Sequence, residues 1–496
     1  MARIAVIGAG MGALAAAARL AVAGHRVVVY ERTDTYGGAL RRFERDGFSF
    51  DTGPGLLPLP AVYRDLFVKT GKEPLEACVD LVQVDPSSRH VFADGTGVSL
   101  PNASRAGVVA ALDEALGAGA GQRWGDFLVR AREAWDRTRR PLLEEPLWPN
   151  WQVLAEREPY PAVPHKRLLR TRRAGTLAEV GAWELRDTRL TALLESHALT
   201  HGLDPRTTPA SAAVLPYMEH AFGTWYVRGG LRELARAVYE RCVARKVEFR
   251  FGADVTGVRE KDGRASGVEL ADGTVAEADF VVAGVAPGTL DRLSPQAVRG
   301  DGEVSPQPAT ASRLTVLLAL RGARPEDTAH RTVVHAAHRE AELDALFGEA
   351  AGNTRPTVTV LRPDDPGLAP DPDHEAVTLT TVVPARPEEP YDDLAENMVT
   401  VAGRVIPDLR DRLLWHEVRT PADIAEATGA QGGAVPVPAL AADGGRLLHP
   451  SNSTRVPGLF TVGGWAHPGG GLPHAGMSGA LVAGLIVEGP EFRGSQ

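Results

Sequence analysis

Residues 1–32 set the first pattern. An apolar run, Ile4–Ile7, leads into Gly8-Ala9-Gly10-Met11-Gly12-Ala13. A small-residue helical stretch follows, then a second apolar run, Val27–Tyr30, closed by Glu31. Short apolar runs bounded by glycine predict buried strands, and the intervening period predicts a helix, so the order is βαβ. Phe48 and Phe50 alternate with polar neighbours and predict a short strand, and Gly53-Pro54-Gly55 predicts a sharp turn. From about 101 to 215 apolar residues recur at three and four positions, as in Val108-Val109-Ala110-Leu112 and Leu128-Val129-Ala131, which predicts helices. The proline- and tryptophan-rich stretch 141–165 reads as irregular. Beyond Gly223 a helix is expected over 231–244 and a strand over 247–251. Asp272-Gly273 predicts a hairpin joining 265–270 to the run ending in 280–283. Between 311 and 385 threonines alternate with aliphatics, the pattern of a half-exposed sheet. A helix over 391–405, a strand over 459–462 and a last helix from about Pro473 to Val487 complete the reading.

Glycine-rich βα segments therefore stand at the start, middle and end of the chain. This predicts an α/β fold: a Rossmann-type nucleotide domain assembled from 1–100, 222–300 and 420–496, with an α+β substrate domain inserted as 101–221 and 301–419. A chain of 496 residues has room for two or three domains. Its net charge of -9 excludes nucleic acid as the expected partner, because phosphate binding needs clustered cation. Two cysteines, Cys78 and Cys242, are too few for a disulfide framework and lack metal-site spacing, so no metal is expected and a reducing cytoplasm fits. Glycines and Arg19 interrupt the N-terminal apolar run, unlike a signal peptide. No uncharged stretch reaches membrane-spanning length. The expectation is a cytoplasmic protein, with contact at the inner membrane face left open. Two features bear on that contact. The basic run His165–Arg173 reads either as a solvated helix face or as a patch for anionic lipid. Leu56, Leu57, Leu59, Val62, Leu66 and Phe67 read either as core or as an apolar entrance.

The first loop carries the clearest chemistry. Gly8 permits the tight turn out of the strand, Gly10 lets a pyrophosphate approach the backbone, and Ala13 at the third glycine position still allows helix to pack on strand. The helix N-terminus presents unpaired N–H groups and a positive dipole end to phosphate. Glu31 lies where a carboxylate accepts hydrogen bonds from a ribose.

With its partner segments, that loop resembles the FAD-dependent carotenoid (phytoene-type) desaturases, within the wider amine-oxidase and protoporphyrinogen-oxidase flavoprotein class. The motifs are VIGAGMGALAAAARL at 6–20, FERDGFSFDTGPGLLPLP at 43–60, GTWYVRGGLRELARAV at 223–238 and PGLFTVGGWAHPGGGLPHAGMSGALVAGLI at 457–486. The resemblance implies FAD, with Gly8, Gly10, Gly12 and Ala13 around its pyrophosphate. It implies Glu31 on the adenosine ribose, Arg32 beside the adenine, and Gly38 and Ala39 near the pyrophosphate. Gly53, Pro54, Gly55 and Leu56 should run by the flavin ring, and Val255 should contact adenine through its backbone. Gly464 should lie near the phosphates and ribityl chain, while Leu472, Pro473, His474 and Met477 should open a helix over the pyrimidine edge. Two positions depart from the family pattern: Ala39 replaces a basic residue, with Arg41 two places later as a substitute, and Gly464 stands where related flavoproteins often carry an acid.

The reaction implied is removal of two hydrogens from a C–C bond of an apolar small-molecule substrate, with oxygen or a quinone as electron acceptor. His474 is the candidate polar group at the flavin, against a helix-start histidine bonded to backbone. Glu219 and His220 are candidates for the substrate cavity, against a helix end packed on the sheet. Trp225, Tyr226 and Trp465 read as cavity wall or core, and His467 as shaping its loop. An amine oxidase shares this fold, but Lys166 alone lies well inside the substrate insertion. Polyene isomerisation, oxidation of another metabolite, and a lipid-carrying escort protein without working flavin also stay open.

Overall fold

The small-residue stretch after the first glycine loop forms a helix, Met11–Val22, which is buried along almost its whole length in a computed structural model of the chain. The structure describes residues 1–147, 151–165, 170–297, 311–348, 355–386 and 389–494. Alanines at 15–18 leave no side-chain bulk, so this helix packs directly on the last one, Leu472–Val487. Gly12 and Gly479 mark the closest approach. A Cβ on Gly12 would lie 2.6 Å from Gly463 Cα, and one on Gly479 would lie 2.6 Å from Gly12 O.

The helix pair covers a parallel sheet of five strands in the order Glu248–Phe251, Arg26–Glu31, Arg3–Ile7, Phe280–Ala283, Leu459–Thr461. The first, middle and last parts of the chain thus share one sheet, as the three glycine-rich segments predict. The helix Leu231–Ala244 packs on Met11–Val22. Asp51 accepts hydrogen bonds from the backbone N–H groups of Leu231 (2.6 Å) and Arg232 (3.2 Å), joining the first segment to the second.

A second sheet has seven strands in the order Leu413–Arg419, Ala311–Arg321, His374–Pro384, Val358–Leu361, Arg331–Val334, Ser88–Val91, Gly97–Leu100. Two expectations change here. Residues 88–100, expected with the nucleotide domain, pair into this sheet, Ser88–Val91 running parallel to Arg331–Val334. The strand Ala311–Arg321 is buried on both faces rather than half-exposed. Leu314, Val316 and Leu318 pack with Met398 and Val399 of the helix Asp392–Ala402, while Leu317 and Ala319 pack with Phe48 and Phe50.

Helices Arg105–Leu116, Ala120–Arg139, Thr188–Thr200 and Val214–Phe222 form a third layer. At the two ends of the basic run, Val163–His165 and Arg170–Arg172 pair as antiparallel strands rather than as one helix face. Residues 166–169, with Lys166, lie outside the described residues. The Asp272-Gly273 hairpin joins Arg264–Leu270 to Val275–Glu277, and Phe280–Ala283 enters the parallel sheet instead. Leu57, Leu59, Val62, Leu66 and Phe67 are buried and Leu56 is half-buried, so most of this series packs in the interior. No helix among the described residues is long and apolar enough to cross a membrane.

Candidate functional site

A cavity of about 1210 Å³ opens where the five-stranded sheet, the seven-stranded sheet and the helical layer meet. Of the cofactor-site residues expected from sequence, all but one line it: Gly8, Gly10, Gly12, Ala13, Glu31, Arg32, Gly38, Ala39, Arg41, Gly53, Pro54, Gly55, Leu56, Val255, Gly464, Leu472, Pro473 and His474. Met477 does not. One turn further along the last helix, it packs against the helical layer.

The glycines of the first loop do different work. Gly8 sits at φ +88°, in the left-handed region that only glycine enters freely, and donates its N–H to Tyr30 O at 2.8 Å. Gly12 is required by helix packing, as above. Gly10 is constrained by neither: its φ is -72°, open to any residue, and a Cβ there would meet no protein atom within 4 Å. The space beside Gly10 is kept for something other than this chain. No side chain caps the helix that begins at Met11, so its first N–H groups face that space unpaired by a side chain. This is the donor set that a pyrophosphate needs.

Glu31 is buried at the end of the second strand. One carboxylate oxygen accepts from Ala9 N at 2.7 Å, and the other accepts from Thr33 N and Oγ1 at 2.9 Å each. These bonds fix the carboxylate at the cavity wall and leave lone pairs for ribose hydroxyls. Arg41 lies beside the loop that carries Ala39. Its Nε donates to Gly38 O at 3.1 Å, and Nη2 donates to Thr33 Oγ1 at 3.2 Å and Ala427 O at 3.3 Å, so the cation lies over the loop beside the glycine cradle. Arg32 donates to Glu426 O. Both arginines thereby hold the C-terminal turn of the helix Pro421–Thr428 against the cavity, a wall that no sequence motif announced. Gly464 also has a packing cause: a Cβ there would fall 2.8 Å from Pro436 Cγ, so an acid would not fit.

The last helix points its N-terminus into the cavity, again without a side-chain cap. His474 in its first turn is buried, and burial, with His449 nearby, pushes its pKa down to about 4. It is a neutral imidazole at physiological pH. His467 is elsewhere: fully buried, with Nε2 donating to Glu145 O at 2.9 Å, a loop-shaping role.

The substrate side of the cavity is partly ionic. Glu219 faces it and forms a two-pronged ion pair with Arg331, which holds its carboxyl below the ordinary range against the cost of burial. A carboxylate held this way is a weak proton acceptor. His220 is not among the lining residues. Trp225 and Tyr226 turn away, donating to Phe222 O (3.0 Å) and Asp365 Oδ2 (2.8 Å), while Trp465 does line the cavity. Sequence reasoning missed His90, His197, His201 and Arg313, which all line it. His197 and His201 stand four positions apart in an apolar helical stretch, and that spacing was the available signal. Among the described residues no group of three or more His, Cys, Asp or Glu is placed to hold a metal.

Comparison with known proteins agrees with this geometry. The family described as flavin containing amine oxidoreductase matches residues 14–487. The 4,4'-diapolycopene oxygenase of Methylomonas sp is 30% identical over 500 residues, covering 98% of each chain. The hydroxyneurosporene desaturase of Rhodobacter capsulatus is 30% identical over 499 residues, covering 98% of this chain and 97% of its own. Among solved structures, a putrescine oxidase matches with a TM-score of 0.65 at 14% identity, covering 98% of this chain and 99% of its own. A Rab GDI from Plasmodium falciparum matches with a TM-score of 0.53 at 12% identity, covering 100% of this chain and 99% of its own. These structural likenesses bear on the fold alone.

Proposed function

This chain belongs to the flavin containing amine oxidoreductase family, and from that premise we propose that it desaturates a carotenoid-like polyene. It is an FAD-dependent oxidoreductase. The observation that carries the finer reading is the continuity of the cavity. One space runs from the uncapped helix at Gly10, past Leu56 and His474, to a chamber between the seven-stranded sheet and the helix Thr188–Thr200. A long, thin substrate can lie in that chamber with one bond against the flavin position.

The residues divide the work as follows. The N–H groups at Met11–Ala13 and the Glu31 carboxylate fit the pyrophosphate and ribose, and Arg41 adds positive charge beside them. Bound FAD supplies the acceptor for the substrate's hydride, at N5. The N-terminus of Leu472–Val487 favours negative charge at its end of the cavity. His474, held neutral, can donate or accept one hydrogen bond there without bringing a charge. Leu59, Leu215, Met218 and Val333 exclude water from the chamber.

Two alternatives fit less well. An amine substrate enters as a cation and calls for an unpaired carboxylate, but Glu219 is neutralised by Arg331 and Glu342 is tied to the N–H and hydroxyl of Thr357. An escort protein has no use for the open space at Gly10 or for a fixed Glu31. We assign electron delivery to oxygen or a quinone, and substrate pickup to transient contact with a membrane surface. Anaerobic incubation of holoenzyme with acyclic polyenes should bleach the flavin. Bleaching by amines and by no polyene would overturn desaturation, and a colourless protein that takes up no FAD would favour the escort reading.

A further inference from the structure

Arg313 is a cation of the cavity wall without a counter-charge. It is the third residue of the strand Ala311–Arg321, half-buried between buried neighbours, and it lines the cavity. Among the described residues its side chain forms one hydrogen bond, from Nη2 to Thr200 O at 3.3 Å, and no ion pair. Burial pulls its pKa down, with no carboxylate opposing that shift. The other arginines of the cavity are matched or exposed. Arg331 pairs with Glu219, Arg419 with Asp423 at 3.1 Å, and Arg42 with Glu233 at 3.0 Å. Arg32 and Arg41 bond carbonyls in the last turn of the helix Pro421–Thr428, its negative dipole end, and Arg292 is exposed. A buried cation without a partner is costly to the fold. A negative charge that arrives with a ligand would account for its place.

The backbone ties Arg313 to one end of the cavity. Ala311 O accepts from Val435 N at 3.0 Å, and Ser312 Oγ donates to Gly433 O at 2.7 Å, which fastens the start of the strand to residues 433–437. That segment packs on the loop entering the last helix. Gly470 donates its N–H to Val437 O at 2.7 Å, and a Cβ on Gly464 would meet Pro436 Cγ at 2.8 Å. His201, which follows Thr200, lies within electrostatic reach of both Arg313 and His474. Arg313 and the uncapped N-terminus of Leu472–Val487 therefore flank the same end of the cavity, and both are positive. His201 and His474 are neutral there and bring no charge of their own.

We infer that Arg313 is the counter-charge for the flavin ring in its reduced form. Hydride carries two electrons and one proton from substrate carbon to N5, and the substrate's second hydrogen leaves as a proton to water. The ring, neutral before, keeps one negative charge on its pyrimidine side. The partner that Arg313 lacks thus comes into being as the electrons arrive, so the cation favours the reduced state over the oxidised one. Arg313 then sets how strongly the bound flavin draws electrons from any substrate. The inference depends on bound FAD and not on which substrate the chamber takes.

The test is the midpoint potential of the bound flavin, read by equilibration with reference dyes in the parent holoenzyme, Arg313→Gln and Arg313→Lys. Glutamine keeps an N–H for Thr200 O and removes the charge, while lysine keeps the charge. Arg313→Gln should stabilise the reduced flavin about tenfold less than the parent or worse, a potential lower by about 30 mV for each tenfold. Arg313→Lys should stay within about threefold of the parent. The flavin-free form of Arg313→Gln should melt no lower than the parent's, because it loses an unmatched cation. An unchanged potential in Arg313→Gln would overturn the inference. An equal fall in Arg313→Lys would do the same, by showing that shape and not charge matters. A flavin-free Arg313→Gln that melts well below the parent would show that the chain itself matches the cation, which also sinks the idea. If the potential holds but Arg313→Gln loses a flavin spectral change that a long-chain carboxylate causes in the parent, the cation serves a carboxylate on the substrate and the inference fails. Should Arg313→Gln load no flavin, Arg313→Met decides by the same two measurements.

Discussion

Gly10→Val and Gly12→Ala, two changes two residues apart, should fail in different ways. At Gly10 the backbone is extended (φ -72°, ψ 166°) and an added Cβ meets nothing within 4 Å, so a side chain starts there without backbone strain or a Cβ clash. Losing glycine at an N-cap costs the fold about 1 kcal/mol or less. The new side chain fills the space beside the first N–H groups of the helix. Each charge-assisted hydrogen bond displaced there is worth about 1.5–3 kcal/mol, so losing one raises the flavin Kd about 10- to 100-fold. At Gly12 the added methyl would sit 2.6 Å from Gly463 Cα and 2.9 Å from Ala475 O, both backbone atoms that cannot rotate away. Overpacking of this kind costs about 1–3 kcal/mol of stability. The assay is flavin content after desalting, Kd by quenching of flavin fluorescence, and melting of the apoprotein. Gly10→Val should lose flavin with a nearly unchanged apo melting temperature, and Gly12→Ala should lower that temperature. Full flavin content and an unchanged Kd in Gly10→Val would refute the claim that its space belongs to the cofactor.

Glu31→Ala removes the acceptor for Ala9 N and Thr33 N, and should raise the flavin Kd about tenfold or more; an equally yellow protein after desalting contradicts the placement. Glu375 is 2% exposed and bonds Arg362 Nε (2.7 Å), Arg362 Nη2 (2.9 Å) and Arg412 Nη2 (2.8 Å), so Glu375→Ala strands buried Arg362 and should cost about 3–5 kcal/mol. A urea midpoint equal to the parent's would show that the network is dispensable. Burial holds His449 and His474 at about 4, and His201, His335 and His467 at about 3, against an ordinary 6.5. The unfolded chain takes up these protons first, so stability is complete above about pH 6.5 and falls as pH drops toward 4 and 3. At pH 5 each such histidine costs about 2 kcal/mol, and urea midpoints that match at pH 7 and pH 5 would show the rings are not held neutral.

The cofactor side of the molecule was legible because its determinants are local. Gly8, Gly10 and Glu31 act through backbone conformation, empty space and a fixed distance along one βαβ unit, and each leaves a mark in sequence. The substrate side was not legible because its determinants are pairings across the chain. Glu219 was visible as an acid near a glycine turn, but its meaning changes with Arg331, which is 112 residues away. Residues 88–100 are adjacent in sequence to the nucleotide segment, yet their strand order is decided by a parallel partner at 331–334. The ends of the basic run were read as helix, yet they are paired as strands across residues 163–172, a contact that charge counting does not register.

The glycine pattern also explains why the chain's two ends must meet for the site to exist. The open space at Gly10 is bounded on one side by the first loop and on the other by Gly463 and the start of the last helix. Neither end builds a cradle alone. Gly12 brings the first helix against Gly463 and Ala475, Gly479 brings the last helix against Gly12 O and Ala15 Cβ, and Arg232 of the middle segment donates to Leu40 O at 3.0 Å. A side chain at Gly12 or Gly479 would push the two helices apart and open the cavity between them. Flavin bound between these segments joins elements more than 400 residues apart, and it adds to stability by RT ln(1 + [L]/Kd), about 2.7 kcal/mol at a hundredfold excess over Kd. That gain requires the segments to be docked together. The two dipole ends that the site needs, one for phosphate and one for the flavin ring, are therefore fixed relative to each other by helix packing rather than by loops, which is why the smallest residues in the chain carry the most geometry.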